Sequence, residues 1–397
     1  MAVWGRHADR RRRAGTAVLA VLVGSLSVGV FSAAALTFLV ARLVVTPPRG
    51  RTERTRIVEV DSAGSTITLA RTADSALPGL YGLWFSLDTG HLRLGTIVSE
   101  TQSTVTRRID AVDFGNVQRA KRGRFSGWVY HHPRELGGAF HETTIETPRG
   151  PAPAWIMSTE HETRRWAVLV HGRGVTRAEA LRAVPVFRSL GYTCLLVSWR
   201  NDGDAPASAD GRYRLGGTEW ADVEAALDFV VESGGQEIVL MGWSMGGAIA
   251  LQAADLTRHS RLVRGVILES PVVDWGPTLN FQAKEMRVPS PVRIAVIRLL
   301  GGRRMHRLIG LHSALDFAAL DFVARAAEID TPVLILHSDD DGHVPSTASR
   351  SLASARPDLV TLHSWTGARH AKLWNYDPER FDREIREWIE ALPPLAS

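Results

Sequence analysis

The sequence predicts an α/β fold with a mostly parallel, doubly wound sheet, and three observations carry that prediction. From about residue 138 onward, short apolar runs of strand length alternate with helical stretches. One such pair meets at Gly242-Trp243-Ser244-Met245-Gly246-Gly247, where a strand gives way to a helix with glycines on both sides of a serine. Upstream the pattern differs. Residues 46–137 hold only short strand patterns between turn signals and no convincing helix, which reads as a linker and a small β-rich domain.

The chain opens with a basic tail, residues 1–13, ending in Arg10-Arg11-Arg12-Arg13. Ala14 to Ala41 then carries no charge. At a rise of about 1.5 Å per residue this stretch reaches roughly 42 Å, more than the ~30 Å hydrocarbon core of a bilayer. A cleaved signal peptide has an apolar core of only about 7–15 residues. Residues 14–45 are therefore expected to be an uncleaved single-pass transmembrane anchor. The arginine cluster places the N-terminus in the cytoplasm and the remainder outside it.

Net charge is +5, but residues 1–56 alone carry ten Arg against Asp9 and Glu53, so the rest of the chain is slightly acidic. Basicity confined to a membrane flank excludes a nucleic-acid-binding face. The one cysteine, Cys194, lies in the apolar run Cys194-Leu195-Leu196-Val197 and reads as a core residue, so no intramolecular disulfide is expected.

Thr46-Pro47-Pro48-Arg49-Gly50 is a stiff linker. The β-rich domain takes its strands from Ile57–Val60, Thr66–Leu69, Leu94–Val98, Thr104–Thr106 and Trp128–Tyr130. In residues 138–397, Thr143–Glu146 and Ala154–Met157 form an opening antiparallel pair. Strands follow at Trp166–Val170, Thr193–Val197, Glu237–Met241, Val263–Leu268, Val333–Leu336 and Leu359–Leu362. Helices are expected near 176–190, 218–233, 245–257, 346–355 and 377–391.

A serine between glycines at a strand-to-helix junction is the sequence form of a nucleophile elbow: the turn is too sharp for side chains beside it. A serine hydroxyl still needs a base, and the base an acid to orient it. With the loops after Val170, after Leu336 and after Leu362, residues 138–397 resemble the α/β-hydrolases, a family of serine esterases, lipases, thioesterases and some peptidases.

That resemblance implies the site. Ser244 is the nucleophile and His370, in Gly367-Ala368-Arg369-His370, is the base. Asp341, three residues before Val344-Pro345, is the acid, with Asp339 and Asp340 as competitors in the same loop. The backbone N–H groups of Met245 and Arg173 form the oxyanion hole. His171, Gly172, Gly174, Gly242 and Gly246 support these turns, and the Arg173 side chain is expected in solvent. His363 lies inside a strand; His337 and His343 flank the acid loop, and none of the three stands where the family puts its base. The loop Asn201–Gly217 is expected to border the pocket.

A cap insertion is expected at 275–325. Within it, Phe281 to Leu311 holds Lys284, Arg287, Arg293, Arg298, Arg303, Arg304 and Arg307 against a single acid, Glu285. Beside a bilayer such a cap suits anionic headgroups or an amphiphilic ester; solvated arginines on an ordinary cap are the alternative. The expected function is a membrane-anchored serine hydrolase cleaving a small-molecule or lipid-like ester, with no metal or organic cofactor. A serine peptidase using the same triad, and a non-catalytic membrane-tethered scaffold, are the rivals.

Overall fold

The computed structural model describes residues 31–48, 50, 52–61 and 63–393. They form two compact units. One joins residues 31–45 to Ala283–Leu315, and the other comprises Thr46–Gln282 and the described residues from Asp316 onward.

In the larger unit, six antiparallel strands close into a barrel: β1 (Thr55–Val60), β2 (Thr66–Ala70), β3 (Tyr81–Phe85), β4 (Gly90–Glu100), β5 (Thr104–Phe114) and β6 (Arg122–Ser126). Their order around the barrel is β1-β2-β5-β4-β3-β6, which leaves no free sheet edge. Two readings from the sequence need correction. The last strand is Arg122–Ser126 and not Trp128–Tyr130, where the Trp128 indole N–H instead donates to the Tyr130 carbonyl at 2.6 Å. β3 was not foreseen, because Tyr-Gly-Leu-Trp-Phe is buried at every position and shows no alternation.

Ile57, Ile67, Leu69, Leu83, Phe85 and Leu92 fill the barrel. Among them Arg107, wholly buried, uses all five of its N–H groups on backbone carbonyls: Nε and Nη2 to Gly95, Nη1 to Ser75 and Leu77, Nη2 to Gly79, at 2.6–3.1 Å. The guanidinium thereby pins the loop before β3 to the barrel wall.

The second sheet has eight strands: β7 (Phe140–Thr147), β8 (Gly150–Met157), β9 (Arg165–Val170), β10 (Thr193–Val197), β11 (Glu237–Trp243), β12 (Val263–Glu269), β13 (Val333–Ser338) and β14 (Val360–Trp365). Their order is β14-β13-β12-β11-β9-β10-β8-β7, parallel from β14 to β10, with β8 and β7 antiparallel. The chain runs outward from β9 to β10, then returns to β11 on β9's other side. The crevice where strand order reverses, at the carboxyl ends of β9 and β11, is where open α/β sheets bind ligands.

Helices are α1 (residues 31–45), α2 (Val184–Ser189), α3 (Trp220–Glu232), α4 (Met245–Leu256), α5 (Trp275–Glu285), α6 (Ser290–Gly301), α7 (Thr347–Ala355), α8 (Leu373–Tyr376) and α9 (Pro378–Ala391). α9 buries Phe381, Ile385 and Ile389, one stripe at four-residue spacing. The single helix expected at 176–190 is instead a 3₁₀ segment, Arg177–Ala183, followed by α2; Pro185, in the first turn of α2, has no N–H to continue a helical ladder.

The part of the cap that separates as a compact unit is 283–315, shorter than the 275–325 expected. There α6 buries Val292, Val296, Leu299 and Leu300 and leaves Ile294 exposed, as are Met305 and Leu308 beyond it. Among the described residues no helix is long and apolar enough to cross a membrane. Residues 14–30 of the expected anchor lie outside them.

Lysine has three donors where arginine has five, so Arg107→Lys would strand buried carbonyls. The variant is expected to lose about 3 kcal/mol or more of stability, read as a fall in urea midpoint. An unchanged midpoint would contradict this account of the barrel.

Candidate active site

Ser244 follows β11 and caps α4, with a backbone φ of 53°, a left-handed conformation that a side chain adopts only under constraint. Its glycine neighbours are required by close approach. A Cβ on Gly242 would lie 2.4 Å from the Gly246 carbonyl oxygen, and one on Gly246 would lie 2.3 Å from that of Val170. Gly247 is equally confined, its Cβ position falling 2.8 Å from Pro271. The Ser244 N–H donates to the Glu269 carbonyl at 3.0 Å, and its own carbonyl accepts from Gly247 and Val272.

Three loops bring the expected triad together. Ser244 Oγ lies 2.9 Å from His370 Nε2, and His370 Nδ1 lies 2.7 Å from Asp341 Oδ2. The other Asp341 oxygen accepts from the N–H groups of His343 and Val344, at 2.8 and 2.9 Å. Burial alone would raise the Asp341 carboxyl. The facing His370 and the bond from His337 outweigh it and hold the group well below the usual carboxylate range. An ionised carboxylate only accepts, so His370 carries its proton on Nδ1 and turns the Nε2 lone pair to the serine hydroxyl. Such a chain can take the hydroxyl proton as the oxygen attacks a carbonyl.

The rival acids are engaged elsewhere. Asp339 is exposed and holds Ser346 and Arg350, and Asp340 accepts from the Gly367 N–H at 2.7 Å. His363 stands within β14, 3.2 Å from Glu384. His337 is buried and braces the acid loop through the Ser349 hydroxyl and the Val344 carbonyl, while the exposed His343 ring packs 4.9 Å from that of His370.

The loop after β9 lies against the serine: a Cβ on Gly172 would sit 3.6 Å from Ser244 Cβ. Carboxylates hold it on both sides, Glu179 accepting from the Gly172 N–H at 2.9 Å and Asp202 from that of Gly174 at 2.6 Å. The N–H of Arg173 lies between these anchors. That of Met245 opens α4, where the first N–H groups have no partner within the helix. His171 is fully buried, with Nδ1 2.8 Å from the Gly172 carbonyl and its ring stacked on Trp199. The Arg173 side chain is not in solvent as expected. Its Nη2 donates to the Thr46 carbonyl at 2.9 Å and its guanidinium lies 5.1 Å over the Tyr213 ring.

Behind the triad lies a buried scaffold that the motifs did not reveal. Glu269, fully buried at the end of β12, accepts from the Trp243 indole at 2.5 Å and from the Leu373 N–H at 2.9 Å. Arg182 Nη2, also buried, stands 3.5 Å away as its counter-charge. A carboxylate closing the apolar run Val-Ile-Leu of β12 was the signal available in the sequence.

A cavity of about 520 Å³ borders the loop after β9, lined by Pro47, Trp128, Gly174, Asn201 and Arg212 among others; no side chain of Ser244, Asp341 or His370 lines it. Among the described residues two groups have metal-ligand chemistry: His91, Asp113 and His131, and Glu224, Asp228 and His259. In each an arginine already pairs with the carboxylates, Arg93 with Asp113 and Arg258 with Asp228, placing a cation where a metal would compete.

Residues 167–384, more than half of the chain, match the profile of the alpha/beta hydrolase family. The chain belongs to that family. Ahead of its hydrolase portion, residues 56–126 match a domain of unknown function (DUF8805), which coincides with the barrel. The hydrolase is 22% identical over 239 residues to the uncharacterized protein YqkD of Bacillus subtilis, covering 58% of this chain and 73% of that one. Among solved structures it resembles an esterase of Pyrococcus furiosus, with a TM-score of 0.52 at 15% identity, covering 66% of this chain and 94% of the other.

The loop after β9 makes the folded protein sensitive to acid. Burial pushes the His171 imidazole down to about 4, whereas the unfolded chain binds a proton below about 6.5. The unfolded state therefore gains protons first, and stability falls as pH drops from 6.5 toward 4, by up to about 3 kcal/mol. His171→Phe, which keeps the stack on Trp199, is expected to flatten that slope when urea midpoints are compared at pH 7 and pH 5. An equally steep slope in the variant would contradict this.

Proposed function

We propose that this alpha/beta hydrolase is a membrane-anchored serine hydrolase of carboxylic esters. The observation that carries the reading is the unbroken chain from Ser244 Oγ through His370 to Asp341, at 2.9 and 2.7 Å, on a serine held at a strained elbow. Exposure grades along it. The Asp341 side chain is sealed from solvent and that of His370 is 20% exposed, so the acid orients from a dry site while the reacting atoms face the substrate.

Ser244 attacks the ester carbonyl while His370 Nε2 takes its proton. The tetrahedral oxyanion is received by the N–H groups of Met245 and Arg173, the first aided by the positive end of the α4 dipole. His370 then protonates the leaving alcohol, and an acyl-Ser244 intermediate remains. Water, deprotonated by the same imidazole, releases the acid. Asp341 holds the tautomer throughout and stabilises the imidazolium between steps. The fold shared with an esterase supports ester chemistry.

A lipid-like or other small ester suits the setting. The anchor expected at 14–45 would tether the catalytic unit outside the cytoplasm, and the basic cap carries exposed Ile294, Met305 and Leu308 beside Arg293, Arg304 and Arg307, a composition fit for an anionic, amphiphilic surface.

The full chain in detergent is expected to hydrolyse p-nitrophenyl esters in a series from acetate to palmitate, and Ser244→Ala to lower kcat by about 10⁴-fold or more. Turnover that survives in Ser244→Ala, or none at any chain length, would refute the ester reading.

A further inference from the structure

His370 rides on a loop, residues 366–376, whose only regular structure is the single turn of α8. A base on such a segment must be fixed closely, since a misplacement of about 1 Å can cost about 100-fold in rate. The hydrolase portion holds it at Gly367 through Asp340 and at Ala368 through the Ser338 hydroxyl, and again at Ala371 and Leu373. Ser270 Oγ accepts from the Ala371 N–H at 3.1 Å, and Glu269 from that of Leu373.

The barrel supplies a second set. Asn375 is fully buried and spends its amide on barrel loops: Nδ2 donates to the carbonyls of Leu80 at 2.8 Å and Gly127 at 2.9 Å, while Oδ1 accepts from Arg182 at 3.1 Å. Its backbone carbonyl accepts from the Leu80 N–H at 3.0 Å. That approach is possible only because residue 79 is glycine, at φ 104°; a Cβ there would lie 2.0 Å from the Asn375 oxygen. Asp74, on the loop before β3, accepts from Lys372 Nζ at 3.0 Å and stands 3.4 Å from Arg369 Nε, so it grips the chain on both sides of His370. Tyr376 packs against both cores, and its hydroxyl lies 2.4 Å from where a Gly367 Cβ would be.

We infer that the barrel is a clamp for the base-bearing loop, with Asn375 and Asp74 as positioning residues that act through His370. The inference rests on the triad reading above. It gives the small β-domain a role in turnover: barrel loops define where the imidazole stands, and the sheet defines where the serine stands.

The test uses the full chain in detergent, with Asp74→Asn, Asn375→Ala and, as a barrel control, Asp113→Asn. Asp113 pairs with His91 and Arg93, away from the base loop. Amide hydrogen exchange, kcat and KM for p-nitrophenyl acetate, and Tm are measured on each. The clamp requires exchange across 366–376 to accelerate about 10-fold or more in Asp74→Asn, while β11 and β12 stay protected. It requires kcat to fall about 10- to 100-fold there with KM within about twofold, and further in Asn375→Ala. Asp113→Asn should lower Tm and leave kcat at the wild-type value. Unchanged exchange at 366–376, faster exchange with wild-type kcat, or a kcat loss in Asp113→Asn equal to that in Asp74→Asn would overturn the inference. Should the wild type turn over no ester, the triad reading fails on that result alone, and exchange across 366–376 still decides whether the barrel clamps the loop.

Discussion

The site depends on one buried carboxylate. Glu269 has no solvent exposure, and its two oxygens hold the Trp243 indole on β11 and the Leu373 N–H on the loop that carries His370. Its backbone carbonyl holds the Ser244 N–H as well. Ser244 and His370, 126 positions apart in the chain, are thus referred to the same residue. A buried charge costs several kcal/mol unless paired, and Arg182 at 3.5 Å is the pair. Removing either partner would leave the other uncompensated in a dry interior. That makes this pair the constraint on which the spacing between serine and imidazole rests.

Arg182 extends the constraint outward. It donates to the Gly127 carbonyl and to Asn375, so the charge that balances Glu269 is also a bolt between sheet and barrel. The barrel in turn is closed and internally pinned by Arg107, which makes its loops firm points of attachment. Rigidity therefore passes from a plugged barrel, through buried polar contacts, to a loop with little regular structure of its own. The reacting ends stay near the surface at the sheet's switch point, where a substrate can reach them.

Legibility followed the range of the interactions. The elbow could be read because its sterics are local: Gly242, Ser244 and Gly246 constrain one another within a single turn. The parallel sheet could be read because each buried strand is a continuous apolar run. Asp341 was separable from Asp339 and Asp340 only by resemblance, since three consecutive aspartates look alike until the loop folds and offers one of them two backbone N–H groups. Glu269, Arg182 and Asn375 were not legible as a set, because their meaning arises from residues 87 and 106 positions apart in the chain meeting in the interior. The Arg173 side chain was misread for the same reason: its partners, Thr46 and Tyr213, come from a linker and a distant loop. β3 escaped because Tyr-Gly-Leu-Trp-Phe is fully buried, so it lacks alternation, and Gly82 breaks the apolar run that marks the buried parallel strands.

The most direct test of the central claim, that Ser244 is a nucleophile activated by His370, is mass spectrometry after exposure to a fluorophosphonate. One adduct per chain is expected, mapped to the peptide bearing Ser244, absent in Ser244→Ala and formed about 10³-fold more slowly in His370→Ala. No adduct on the folded wild type, or an adduct on a different serine, would contradict the account.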